Sequence, residues 1–320
     1  MIKCLYSHSH DPYFNLAVEE YLLKNATESF YFQYLNDDSV VIGKHQNTLA
    51  EIDQQYLDLN NIKLARRVSG GGAVYHDKGN LNYSFITSES PGDYIRFKTY
   101  TSPIISALKK LGVPASLGTR NEILAGDKKV SGTASHVFKN RVLHHGTLLF
   151  DTDLKKLSHC LYVDTSRYKD RGVKSIRSEV VNLKSMLGEP MDMYHFSRYI
   201  LQHVTDEMTG SITNLSAEDE EAINSLREEK FVTWEWNYGY SPDYEFERSI
   251  DEIDDTLSIK VRVKKGVISD IIFSGESNLD EEQIRKALTG IFHEPVKVSR
   301  ALSALFSDQQ LVEIFFRVLF

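Results

Sequence analysis

A chain of 320 residues exceeds one minimal core, so a large domain with a smaller second one is the expected organisation. At 41% hydrophobic and 26% charged it reads as a soluble globular protein, and no apolar run approaches the ~20 residues that cross a bilayer. A formal net charge of −8 argues against nucleic acid as a partner, because phosphate binding needs clustered Lys and Arg.

The opening MIKCLYSHSHDP lacks the apolar stretch of a secretory signal. Cys4 and Cys160 lie far apart, outside any metal-like spacing, and read as two free thiols in a reducing cytoplasm. Residues 14–24 (FNLAVEEYLLK) have helical apolar spacing after an Asp11-Pro12 start signal. Residues 29–35 and 39–43 are aromatic and β-branched, and the Asn36-Asp37-Asp38 connection predicts a hairpin. Residues 73–75 and 80–86 predict another strand pair, and 101–111 a helix stopped by Gly112. Residues 122–125, 129–135 and 142–150 then predict a three-strand meander.

Helices are expected over 153–161, 191–208 and 217–230. Ser241-Pro242 and the acidic run 249–255 mark a boundary, giving domains 1–243 and 244–320. The second begins with alternating strands at 257–263 and 267–273 around Lys264-Lys265-Gly266, followed by helices over 279–291 and 299–316.

Two stretches carry chemistry. Residues 66–85 (RRVSGGGAVYHDKGNLNYSF) place Gly70, Gly71 and Gly72 between strand-like segments, where bare backbone approaches a ligand and offers N–H groups to an anion. No Gly-Lys-Ser/Thr follows, so this is not a P-loop, and a strand rather than a helix follows, so it is not the dinucleotide fingerprint. A glycine run alone is more often a mobile turn; Arg66-Arg67 before it and Tyr75-His76-Asp77 after it weigh against that here.

The second stretch is 126–150 (GDKKVSGTASHVFKNRVLHHGTLLF). Strand alternation groups Lys129 with Ser131 and Thr133 and turns Lys128 away. A polar face led by Lys129 suits an anionic transition state, although an isolated Lys is usually a solvated surface residue. Alternation also separates His144 from His145, so the pair does not hold zinc; one of them turns inward.

With RNE at 120–122, RGVKSIRSEVVNL at 171–183 and TWEWNYGYSP at 233–242, these ordered blocks resemble the lipoate–protein ligase family over essentially the whole chain. The resemblance implies an α+β fold of mixed β-sheets flanked by helices, similar to biotin protein ligases and class II aminoacyl-tRNA synthetases, with a small α+β C-terminal domain. It implies a cytoplasmic enzyme that uses ATP and Mg²⁺ to turn lipoic acid, or octanoate, into an acyl-AMP. The acyl group then passes to a lysine on the apo lipoyl domain of a 2-oxoacid dehydrogenase acyltransferase or the glycine-cleavage carrier protein. No membrane is involved.

By the same resemblance Lys129 is the catalytic residue, bridging the acyl carboxyl and the α-phosphate, and Arg67 contacts the same region. Gly72, Ala73, Val74 and Tyr75 line the nucleotide, Ser69, Gly70 and Gly71 shape the lipoyl tunnel, and His145 joins this substrate-binding set. His76 and Asn80 are nucleotide-side contacts, His76 reading equally well as a satisfied core residue, and Asn121 and Glu122 hold Mg²⁺. The 171–183 block is read either as an exposed basic loop or as a loop over the adenylate with Lys174 and Arg177 near phosphate.

Three other readings compete. Related acyltransferases work without ATP and use a cysteine near residues 120–125, where this chain has RNEILA; a lysine-dependent transferase stays open. Biotin protein ligases carry a GRGR-like loop where this chain has SGGGAVYHD. A non-enzymatic lipoyl-domain binding protein has no need of an anion-stabilising set.

Overall fold

The computed structural model describes residues 1–89, 92, 95–249, 257–275 and 279–320. Residues 250–255 of the acidic run used to mark the boundary therefore lie outside the described residues.

In chain order the first elements are β1 (Lys3–Tyr6), α1 (Pro12–Asn25), β2 (Phe30–Leu35), β3 (Ser39–Ile42), α2 (Gln54–Leu59), β4 (Lys63–Arg66), β5 (Val74–His76) and β6 (Asn80–Ser88). Then come α3 (Phe97–Lys110), β7 (Ala115–Leu117), β8 (Ile123–Ala125), β9 (Lys128–Ser131), β10 (Thr133–Phe138), β11 (Arg141–Leu149), α4 (Leu154–Cys160) and β12 (Tyr168–Asp170). The rest are α5 (Met193–Glu207), β13 (Ser211–Ile212), α6 (Ala217–Leu226), β14 (Tyr244–Ser249), β15 (Ser258–Lys264), β16 (Val267–Ser274), α7 (Glu281–Leu288), α8 (Pro295–Leu305) and α9 (Gln309–Leu319).

A mixed six-stranded sheet, order β10-β11-β6-β2-β1-β13, organises the larger part. Its strand β2, FYFQYL, is buried throughout because both faces are covered. Tyr31 packs on the side of α3 and α5, with Ile104, Leu108, Phe196 and Ile200. Phe30, Phe32 and Tyr34 face the side of α1, with Leu16, Leu23 and Phe231. Two three-stranded sheets, β4-β3-β5 and β7-β8-β9, stand beside it. This is the expected α+β architecture of mixed sheets and helices.

Three sequence expectations are corrected. Residues 29–43 do not form a hairpin: β2 belongs to the large sheet and β3 to the β4-β3-β5 sheet. The connection is anchored rather than turned back, since buried Asn36 accepts from Asn15 Nδ2 at 2.9 Å and Asp37 N donates to His10 O. Likewise β5 and β6 pair with different neighbours, β5 with β3 and β6 with β2 and β11. The meander breaks at Gly132, where the chain steps from β9 in the β7-β8-β9 sheet to β10 in the large one. Gly132 spans the step by donating to Thr147 Oγ1 and accepting from Thr147 N. Strict alternation therefore does not run from Lys129 to Thr133.

Near the C-terminus the hairpin β15–β16 forms as expected, with Lys265 (φ 50) and Gly266 (φ 76) both left-handed, as a two-residue turn of the hairpin-favouring hand requires. The sheet is larger than that hairpin: its order is β12-β14-β15-β16, and β14 lies between Ser241-Pro242 and the acidic run, where only a domain boundary was expected. The helix expected over 299–316 is two, because the backbone turns extended at Phe306 and Asp308 then caps α9 by accepting from Gln310 N at 2.8 Å. Cys4 and Cys160 are free and buried. Among the described residues no helix is long and apolar enough to cross a membrane.

Candidate active site

A cavity of ≈ 290 Å³ opens where the three sheets of the larger part meet. Its walls come from the glycine loop after β4, from β5, from the step between β9 and β10, from β11, and from the 173–178 loop.

The glycine loop is held by two buried arginines with different tasks. Arg66 is fully buried and donates to the carbonyls of Gly43, Lys44, Gln46, Trp236 and Asn237 and to the hydroxyls of Thr48 and Ser241. It ties the 43–48 loop to the 236–241 segment and stays out of the cavity wall. Burial lowers its pKa to about 9.

Arg67 does line the cavity, and its N–H groups are engaged by Ser69 Oγ (3.0 Å) and by the carbonyls of Val41 (3.1 Å), Gly70 (2.6 Å) and Gly72 (2.8 Å). Burial lowers it to about 10, opposed by the charge of Glu19. This guanidinium moulds the loop from inside. Gly71 accommodates it: the residue sits at φ +94°, and a Cβ there would come within 2.9 Å of Arg67 Nη2.

Lys129 faces the loop. Its backbone is fixed on both sides, by Leu124 of β8 and by bonds from Lys129 N to Glu179 O and from Val181 N to Lys129 O. Its Nζ makes no hydrogen bond or ion pair to any described residue. Burial pushes its pKa down, and nearby Glu122 opposes that. A part-buried ammonium without a protein partner is poised to receive an anion.

His76 contributes a neutral donor. Its Nδ1 accepts from Asn36 Nδ2 at 3.0 Å, which leaves the proton on Nε2, an atom with no partner in the cavity wall. Burial lowers its pKa to about 3, so the ring stays neutral across the physiological range. Alternation on β5 sends Val74 and His76 to the cavity and Tyr75 into the opposite core with Val40, Ile42 and Leu57.

The matched family model is the lipoyl protein ligase A/B catalytic domain, over residues 11–205. Lipoate–protein ligase 1 of Staphylococcus aureus is 41% identical over 297 residues, covering 92% of this chain and 90% of that one. The chain belongs to the lipoate–protein ligase family. A lipoate-protein ligase A solved with ATP superposes with a TM-score of 0.63 at 28% identity, over 75% of this chain and 98% of that one. The Ta0514 protein of Thermoplasma acidophilum with bound lipoic acid gives 0.62 at 27%, covering 74% and 98%. The bipartite lipoate protein ligase of that archaeon, solved in a study with its E2 lipoyl domain, gives 0.63 at 27%, covering 75% and 96%.

Within this ligase, Arg67, Gly71, Gly72, Ala73, Val74, His76, Glu122, Lys129 and His145 reach one cavity. Ser69, Gly70, Tyr75, Asn80 and Asn121 are not in its wall. Ser69 lies behind it, fully buried, and Asn80 bonds to Asn82, which is in the wall. Asn121 takes a left-handed turn (φ 65) and its carbonyl accepts from Thr133 Oγ1. The two cations of the 171–183 block separate. Lys174 is in the wall and pairs with Asp170 at 2.6 Å, whereas Arg177 lies over the Tyr162 ring, outside it.

Sequence reasoning missed Ser175, whose hydroxyl accepts from Ala73 N (2.9 Å) and Gln46 Nε2 (3.1 Å). It also missed Glu19, which binds His145 from α1. Glu19 was findable: it falls on the helical face of Asn15, Leu16, Leu22 and Leu23, where a charge is anomalous.

Proposed function

We propose that this lipoate–protein ligase activates free lipoate with ATP to lipoyl-AMP, releasing pyrophosphate, and transfers the lipoyl group to an acceptor lysine. The carrying observation is the Lys129 ammonium, without a hydrogen-bond or ion-pair partner among the described residues, lining the same cavity as Gly71, Gly72 and Ala73 of the glycine loop. Carboxylate attack on the α-phosphate brings two anions together, and a fixed cation with backbone donors stabilises the transition state where charge accumulates. Lys129 bridges the two anions, Arg67 shapes the loop and the His76 Nε2–H donates to a phosphate oxygen. In the second step the acceptor amine attacks the acyl carbon and AMP leaves, its phosphate held by the same cation.

Mg²⁺ fits as a passenger of ATP rather than as a resident of a protein cage. Among the described residues no group of three or more His, Cys, Asp or Glu gathers to hold a metal. The cavity offers the single carboxylate of Glu122, which also accepts from Arg120 N at 2.8 Å. One carboxylate plus substrate phosphates is an ordinary Mg²⁺ environment. With Asn121 beside it, Glu122 is the assigned contact.

The acceptor is an apo lipoyl domain, of a 2-oxoacid dehydrogenase acyltransferase or of the glycine-cleavage carrier. The support is the family and the archaeal ligase studied with its E2 lipoyl domain. Octanoate is a second acyl substrate, since a methylene or two changes binding by only ~1–3 kcal/mol. Residues 244–320 form the accessory domain, supported by a core drawn almost wholly from them. The reaction is assigned to the cytoplasm, in keeping with its use of ATP and protein acceptors. Against a cysteine-dependent transferase, Cys160 is buried outside the cavity with its thiol pushed up to about 12 by burial, and Cys4 is buried too.

The test is pyrophosphate release from purified protein with MgATP and free lipoate, followed by the mass of an added apo acceptor domain. Pyrophosphate with a lipoyl-sized mass gain is expected. Acceptor modification from a lipoylated carrier without pyrophosphate overturns the ATP-dependent reading.

A further inference from the structure

A chain of buried polar contacts runs from α1 to the cavity wall, and the mechanism above uses only its last member, Arg67. Glu19 of α1 is fully buried and accepts from Ser84 Oγ, from Tyr34 OH at 3.1 Å, and from His145 Nδ1 at 3.0 Å. The other ring nitrogen, His145 Nε2, lies 2.6 Å from Ser69 Oγ. Ser69 Oγ receives Arg67 Nε–H at 3.0 Å, and the far end of Arg67 grips the carbonyls of Gly70 and Gly72.

Each proton position in this chain forces the next. A carboxylate only accepts, so His145 carries a proton on Nδ1, and a neutral ring then has a bare Nε2. A bare Nε2 takes the Ser69 hydroxyl proton, which leaves the oxygen lone pairs to accept Arg67 Nε–H. Arg67 only donates, so the chain closes without a conflict between donors. We propose that Glu19 is a positioning residue for adenylation: by fixing the His145 tautomer it orients Ser69 and Arg67, and through them the carbonyls and N–H groups of the glycine loop.

The Ser–His–Glu order resembles a nucleophilic triad, and the geometry speaks against that use. Ser69 is 0% exposed, is absent from the cavity wall and already receives Arg67 Nε–H. It has no path to an acyl carbon. The chain ends on a cationic side chain that grips a loop, which is an arrangement for holding shape.

The inference rests on the ligase reading, and its test separates the two. In wild type, ¹⁵N NMR of His145 is expected to show a protonated Nδ1 and a bare Nε2; the opposite tautomer, or protons on both nitrogens, overturns the proposal without any variant. In Glu19→Gln the amide N–H₂ turns to Nδ1 and drives the proton to Nε2, which then faces a Ser69 oxygen already receiving Arg67. The tautomer inverts and pyrophosphate formation falls about tenfold or more, with kcat affected more than the lipoate KM. A wrong tautomer behind an imidazole that moves the proton itself costs ~10⁴; this ring only orients.

A double-mutant cycle with Ser69→Ala adds a readout that simple destabilisation does not reproduce. Members of one chain give a combined loss close to that of either single variant, whereas independent defects multiply. Activity of Glu19→Gln within twofold of wild type, or multiplicative losses, overturns the positioning role. Absence of pyrophosphate from the wild-type protein instead sinks the ligase reading.

Discussion

Lys129 differs from the two arginines opposite it in what its charge already touches. Arg66 and Arg67 are held by protein carbonyls and hydroxyls, while no described residue bonds the Lys129 Nζ. Of the other cations in the cavity wall, Lys174 pairs with Asp170 and Arg120 donates to Ser178 Oγ, so Lys129 is the one without a partner among the described residues, and Lys129→Ala is expected to lower pyrophosphate formation by about 10²–10³-fold, the range for losing a preorganised donor. The folded state should be little changed, since the side chain stabilises no protein group; a correctly folded variant with near-normal adenylation removes the assigned role. Lys129 and the glycine run were legible because short motifs with unusual residues survive any uncertainty about fold. Ser69 and Arg67 were legible as residues but not as parts, because hydrogen-bond partners 76 positions apart, Ser69 and His145, carry no local sequence signal. Ser175 was hidden for the same reason: a serine in an exposed-looking basic loop does not announce that it accepts from Ala73 N.

The elements were better read as types than as pairings. Helix α1, strands β2 and β6 and the β15–β16 hairpin follow from periodicity and turn chemistry, which are local. Which strand lies beside which is decided by long-range burial, and there the local reading failed: β2 and β3 are adjacent in sequence and sit in different sheets. The step at Gly132 shows the same limit, since one residue transfers the chain between sheets and resets which side chains share a face. Arg66 is the fastener at this scale, joining the 43–48 loop to the 236–241 segment through seven acceptors. A lysine brings three donors on a flexible stem and does not reproduce a planar fork. Arg66→Lys should thus leave buried carbonyls unsatisfied, at about 1–3 kcal/mol each. A clear drop in thermal midpoint together with loss of adenylation is expected; an unchanged midpoint contradicts the fastener role.

Across the whole molecule the family blocks carried the large-domain architecture, while the smaller sheet was underestimated because β14 lies between the Ser241-Pro242 and acidic-run signals that marked a boundary. The core of that part contains a titrating group. His293 Nε2 donates to Leu319 O at 2.8 Å and its Nδ1 accepts from Tyr244 OH at 2.6 Å, pinning the C-terminal helix to the sheet. Burial lowers its pKa to about 4, against ~6.5 in an unfolded chain. Above about pH 6.5 the ring is neutral in both states and its contribution is intact. Between about 6.5 and 4 the unfolded chain binds a proton that the folded one does not, so stability falls as pH falls. The loss amounts to about 3 kcal/mol from this group and levels off below its folded pKa. Thermal midpoints measured from pH 7 to 4 should decline, and His293→Asn should flatten the slope; identical slopes exclude His293 as the source.

The Ser175 hydroxyl has a further consequence for occupancy. Ala73 has a single N–H, and in this structure it is donated to an oxygen of the chain itself. A nucleotide oxygen that seeks that donor meets an internal rival, so the measured dissociation constant is the intrinsic one divided by the fraction of molecules with the donor vacated. Ser175→Ala abolishes the rivalry, and calorimetric titration of nucleotide should show tighter binding than wild type. Weaker binding would mean that Ser175 helps the nucleotide rather than competing with it.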